Sequence, residues 1–435
     1  MAVVRPFSAI RYTRPANRDI SALIAPPYDV LDQAGKDALA AKAPTNVVAI
    51  DLPHMPPKTP GPDAAYAKAN DTLQAWLKDG TLVKDAYTAF YPYQQSYDYN
   101  GKTYHRRGFF ALVRLSPFGA GEVVPHEKTY KGAIEDRLKL MRATTAQLSP
   151  VFGLFSDPDG EVNRLLYGNV SAPEAEGTLD GVVHRIWSVN DTATEEAVVK
   201  AMANKPVYIA DGHHRYTTAL QYQKEAIEKN GGPLPANHPA NFCLFVLVPM
   251  QDPGLVIQAT HRLIGGLDGF DIAAFKQIVA PHFDVINTPL RPDHVDELAE
   301  TLPGYGKNSF GLFDGGTQKL HVLKLKNQDV LKPYEASQSD AWRRLDVAIL
   351  QRYLIEEVLQ PKFAAGREVT KGYTPDPKLV APQVGAGKAY QVALLLQPTP
   401  LVALEDLGKT NEVMPQKSTY FYPKLATGFV IAPLA

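Results

Sequence analysis

The apolar positions of the chain fall into short runs and short helical periods that alternate along its length. A strand is expected around Leu23 and Ile24, stopped by Pro26-Pro27, which offer no N–H donors. Asp32 is placed as the N-cap of a helix over 35–41. A second helix over 64–77 carries apolar residues at a helical period and stops at Asp79-Gly80. Tyr-rich residues 87–97 and residues 104–115 flank Asn100-Gly101, the strongest short hairpin signal a sequence offers. Residues 122–125 read as a short strand and 132–147 as a helix with Ile134, Leu138 and Met141 on one face. Its charges at Asp136 and Arg137 fit a solvated face. Ser149-Pro150 ends that helix and 151–155 returns as a strand.

Between Pro206 and Leu220 the pattern changes from a short buried strand to an Asp-Gly turn and then to a long helix, which Gly231-Gly232 should end. Pro and Asn cluster over 233–241, which marks the expected division into domains 1–235 and 236–435. Beyond it, 242–248 and 255–260 are expected to pair antiparallel, and 310–313 with 320–325 form a hairpin about Asp314-Gly315-Gly316. A helix over 345–359 should end at Pro361, and 390–396 reads as a central strand. The expected fold class is α+β, with mixed and largely antiparallel sheets and packed helices.

Charge and composition narrow the partners. A formal net charge of −1 gives no electrostatic reason to expect nucleic acid or an anionic membrane. The longest apolar run, 242–248, is too short to span a bilayer, and the N-terminus lacks an apolar signal core, so a cytoplasmic location is expected. The single cysteine, Cys243, excludes an intramolecular disulfide and reads as a small buried hydrophobe.

Candidate chemistry concentrates in two stretches. In Asp211-Gly212-His213-His214-Arg215 a glycine lets the backbone approach a ligand at a helix start, where N–H groups and the helix dipole favour an anion. Arg215 can grip phosphate oxygens in a fork, and the histidines can donate further hydrogen bonds. His126-Glu127-Lys128-Thr129 follows a strand stopped by Pro125 and gathers an acid, a base and a hydroxyl. Glu127 is the candidate general base, with His126 and Lys128 neutralising phosphate charge. Arg142, near a helix end, is a further candidate for charge stabilisation. Ala25-Pro26-Pro27-Tyr28-Asp29 is expected to form a rigid loop with an exposed carboxylate and phenol, and Lys417, Ser418, Thr419 and Lys424 form a basic, hydroxyl-rich segment.

The stretch Ala210-Asp211-Gly212-His213-His214-Arg215-Tyr216-Thr217-Thr218-Ala219 resembles the phosphate-binding motif of the ParB/sulfiredoxin superfamily, which includes the free serine kinases. The resemblance implies a ParB/sulfiredoxin-like core and phosphate contacts at Gly212, His213, His214 and Arg215. Over its whole length the chain resembles the domain of unknown function 1015 family. Pro6-Phe7, 25–30, 125–129, Asp136-Arg137, 142–144, Ser149-Pro150, 211–215 and 414–424 carry that likeness.

The resulting expectation is a nucleotide-dependent phosphotransferase acting on a small hydroxylated metabolite, with ATP or ADP and Mg²⁺ as cofactors. By analogy with free serine kinases, the substrate would be serine or phosphoserine. A second reading has His126, Asp211, His213 and His214 holding a divalent metal for hydrolysis, although adjacent histidines diverge and serve one ion poorly. A third is a nucleotide sensor without turnover.

Overall fold

Asn100 and Gly101 both take positive φ, 47° and 71°, which closes the expected two-residue hairpin between Tyr91–Tyr99 and Lys102–Arg114. The computed structural model describes residues 2–434 apart from Lys128, Tyr130 and Asn169. The chain is α+β, with sheets that are mostly antiparallel. It divides into two compact units. The first takes residues up to Pro125, Thr129–Val256, and the chain from Pro423 onward; the second takes His126, Glu127 and Ile257–Tyr422.

The first unit is built on a nine-stranded sheet. From one edge its order is Val123–Val124, Val207–Asp211, Val151–Phe155, Phe242–Pro249, Lys102–Arg114, Tyr91–Tyr99, Val182–Ile186 and Ala175–Leu179, with Val4–Arg5 also on Lys102–Arg114. Phe242–Pro249 is buried along its whole length. The antiparallel partner expected for it over 255–260 is not the one it takes. It lies between Lys102–Arg114 (antiparallel) and Val151–Phe155 (parallel), so both of its edges are used within the sheet. Cys243 is buried in this core, and burial pushes its thiol pKa up.

Helix Lys131–Thr144 packs between helices Asp63–Lys78 and His213–Asn230. That placement overturns the solvated face expected at its charges: Asp136 is fully buried and Arg137 nearly so. Asp32 caps Gln33–Lys42 through Gly35 N–H at 2.7 Å, and Gly231 (φ 71°) closes His213–Asn230 in the left-handed region, both as the sequence predicts.

The second unit holds a six-stranded, wholly antiparallel sheet in the order Phe283–Asn287, Lys319–Leu325, Ser309–Asp314, Val392–Leu395, His261–Gly265, Thr370–Thr374. The 310–325 hairpin and the central strand Val392–Leu395 match expectation. The helix before Pro361 does not stop there. Ile349–Leu359 is π-helical and continues as Gln360–Phe363. Pro361 falls in the first turn of that α-helical segment, where its fixed φ is compatible with a helix and its missing N–H costs least.

Candidate functional site

In the first unit, strand Val207–Asp211 leads into Gly212 and then helix His213–Asn230. A register shift between Ile209 and Asp211, opposite Gly153 and Phe152, bulges the strand just before the turn. A bulge of this kind re-aims the side chain that follows it. Gly212 has φ 93°, a left-handed conformation that costs an L residue about 1–2 kcal/mol. A Cβ there would also stand 3.0 Å from the Arg215 guanidinium. Glycine is thus required twice, for the turn and for the cation beneath it.

Arg215 is tucked under the turn and buried. It donates to the Pro150 carbonyl and, at 3.3 Å, to Asp211 Oδ2. Those contacts use two of the five guanidinium N–H donors. Lys424 Nζ lies 3.6 Å from Asp211 Oδ1, so one carboxylate holds two cations at the start of the helix. His213 is buried in the first turn and His214 is half-buried.

Behind the turn lies a buried charged network that the sequence pattern does not reveal. Asp136 Oδ1 accepts the Tyr66 hydroxyl at 2.7 Å and meets His54 Nε2 at 2.8 Å, while Oδ2 accepts Arg137 Nε at 2.8 Å. Arg137 also donates to the Asp51 carbonyl at 2.6 Å and lies 3.9 Å above the Tyr28 ring, which is buried and not exposed as the loop sequence suggests. Burial works against the Arg137 charge, but Asp136, Asp51 and Tyr28 outweigh it and raise its pKa. Ser149 donates to Asp51 Oδ1 at 3.0 Å, and the next residue, Pro150, is the one Arg215 grips. A cavity of about 30 Å³, room for roughly one water, is lined by Asp51, Arg137, Ser149 and Arg215.

The network therefore runs from Tyr28 through Arg137, Asp51, Ser149 and Pro150 to Arg215 and Asp211. No motif surrounds Asp51, His54 and Tyr66 in the sequence to mark them. The only signal was the run Ile50-Asp51-Leu52, a carboxylate set in apolar sequence.

Arg142 stands elsewhere on the first unit, with its side chain 48% exposed. It makes a two-pronged pair with Glu225, at 2.8 and 2.6 Å, which raises its pKa.

In the second unit His126 and Glu127 join the distant segment 414–419. His126 is buried; its Nε2 is 2.9 Å from Thr419 Oγ1, and its carbonyl accepts Met414 N–H at 2.8 Å. Glu127 Oε1 accepts Ser418 N–H at 3.3 Å and lies 3.9 Å from His126 Nε2. Arg262 donates to the carbonyls of Gln416 and Lys417 at 3.1 and 3.0 Å. Burial pulls its pKa down to about 10 against the opposing pull of Tyr373 and Glu127. Two of the stretches singled out in the sequence are thus brought together. The expected role of Lys128 falls outside the described residues. Among the described residues no group of three or more His, Cys, Asp or Glu side chains could hold a metal ion. Among them, too, no helix is long and apolar enough to cross a membrane.

Residues 4–348 match a family described as "Protein of unknown function (DUF1015)". The chain belongs to the DUF1015 family. Curated proteins give no match. Solved structures similar to this DUF1015 chain include a variant free serine kinase in complex with ADP, at 11% identity, covering 69% of this chain and 84% of the other, with a TM-score of 0.33. SbnI with a C-terminal truncation, from Staphylococcus aureus, is similar at 9% identity, 75% and 87% coverage and TM-score 0.34. A conserved hypothetical protein from Pyrococcus furiosus is similar at 13% identity, 72% and 92% coverage and TM-score 0.31.

Proposed function

We propose that this chain is a nucleotide-dependent phosphotransferase acting on a small hydroxylated metabolite, with serine or phosphoserine as the first candidates. ATP or ADP phosphates would lie on the turn from Asp211 to Arg215. The observation that carries this reading is Gly212. Its left-handed φ and the guanidinium 3.0 Å from its missing Cβ put a bare backbone turn above a fixed cation at a helix start. His213 and His214 begin that helix and would add donors. Mg²⁺ brought by the nucleotide would offset phosphate charge.

Phosphoryl transfer asks for positioning and charge stabilisation more than covalent help, which suits a turn held by buried ion pairs. Glu127 is the proposed base, with His126 and Lys128 as the groups proposed to assist charge and proton movement; Arg142, held by Glu225, is not part of that proposal.

The test is a thermal-shift titration with ADP, ATP and CTP on the full chain, beside Gly212→Ala and Arg215→Lys. A ligand at a hundred times its Kd adds about 2.7 kcal/mol to apparent stability. We expect at least one nucleotide to raise Tm in the parent and to have lost most of that effect in Gly212→Ala. Equal shifts in both proteins would move the phosphates away from this turn. Glu127→Gln should keep the shift and lose turnover.

A further inference from the structure

We infer that the second unit carries a separate site for a neutral nucleoside or nucleobase. Its cavity of about 500 Å³ lies within the range of small-molecule pockets, roughly 300–1,000 Å³. The wall formed by 411–416 is fixed from two sides. Trp342 donates its indole N–H to the Val413 carbonyl at 2.9 Å, and Arg262 holds the Gln416 carbonyl at 3.1 Å. The cavity is therefore built before any ligand arrives.

Its chemistry is set by two aromatic rings and a set of primary amides. Trp342 and Tyr373 both line it. Tyr373 lies on the edge strand Thr370–Thr374, directly across from Arg262, whose guanidinium sits 4.9 Å from the ring centroid. That exposed ring is braced by a buried cation. Gln338, Asn411 and Gln416 also line the cavity, and their side-chain amides have no hydrogen-bond partner among the described residues.

The charged lining groups are already answered. Lys371 pairs with Glu368 at 3.1 Å, and Glu412 accepts from Ser339 N–H and from the Thr410 hydroxyl. Such a lining does not neutralise a free phosphate or a zwitterion. Primary amides do match the donor–acceptor edges of bases in two-pronged fashion, and aromatic rings accept any base face. A neutral heteroaromatic ligand of nucleoside size is what those groups recognise together.

The test titrates the full chain with adenosine, guanosine, cytidine and uridine and follows tryptophan fluorescence. These probes carry no phosphate, so the result does not depend on the Gly212 turn. We expect one of them to quench emission saturably, the quench to vanish in Trp342→Phe, and Tyr373→Ala to weaken binding about tenfold or more. Tyr373→Phe, which keeps the ring, should bind like the parent, and circular dichroism confirms that each variant is folded. Absence of saturable quenching by all four, or undiminished affinity in folded Tyr373→Ala and Gln338→Ala, would overturn the inference.

Discussion

Gly212 concentrates the argument at the scale of one residue. Alanine there meets both the left-handed φ of 93° and a cation 3.0 Å from its Cβ. Relief requires the guanidinium to give by a few tenths of an ångström against its bonds to Pro150 and Asp211. Gly212→Ala should therefore lose about 1–3 kcal/mol of stability in urea unfolding, the sum of backbone strain and a weakened buried contact. A smaller loss would mean that the guanidinium moves aside freely and does not brace the turn. The local sequence already announced this feature, since an Asp-Gly pair between a strand and a helix demands a special backbone. Where the Arg215 side chain goes was not legible. Its partner, the Pro150 carbonyl, is 65 residues away, and no local pattern encodes a bond of that separation.

At the scale of elements, periodicity found most helices and hairpins but erred where an element is buried on every side. Phe242–Pro249 is apolar throughout, so alternation cannot say which strands flank it. The charges on Lys131–Thr144 misled for a related reason. A buried ion pair and a solvated one look the same in sequence, and only the packing of two more helices distinguishes them.

Elements of the second unit also carry an opposed pH response. Asp346 is largely buried beside Asn308, and desolvation lifts its pKa to about 6 against the hydrogen bond from Asn308. With the folded value above the unfolded one, the protonated form is favoured on folding. Stability from Asp346 is therefore present at low pH and lost as pH rises from about 4 to 6, by up to about 3 kcal/mol. His261 works the other way: burial, then Arg262, lowers its pKa to about 4, and its neutral Nδ1 accepts Leu396 N–H at 3.2 Å. Its contribution is present above about 6.5 and is lost as pH falls to about 4. The two trends partly cancel in the parent. Asp346→Asn should remove one of them and leave a stability that falls more steeply on acidification between pH 6 and 4, as read from urea midpoints. A profile unchanged from the parent would refute the assignment.

For the whole molecule the informative feature is the return of the chain to its first unit after Pro423. Ile431 exchanges backbone hydrogen bonds with Ile10, Thr427 does so with Ala25, and Ala432–Pro433 pairs with Ala146–Gln147. Gln95 and Arg106 bind the carbonyls of Lys424 and Pro423. Removing residues 423–435 should thus destabilise the first unit, far more than loss of an ordinary frayed end. Hydrogen exchange offers the measurement, with protection expected to fall in Tyr91–Tyr99, Lys102–Arg114 and the N-terminal strands. Protection confined to its parental pattern would show that the returning segment only decorates the sheet.

That return also sets a clock on biosynthesis. Chains emerge at roughly 5–20 residues per second, so the stretch between Val256 and Pro423 takes on the order of ten to thirty seconds to appear. Throughout that interval the first unit waits on the ribosome without residues 423–435, with their partners at Ile10, Ala25 and Ala146–Gln147 open to chaperones or to neighbouring chains.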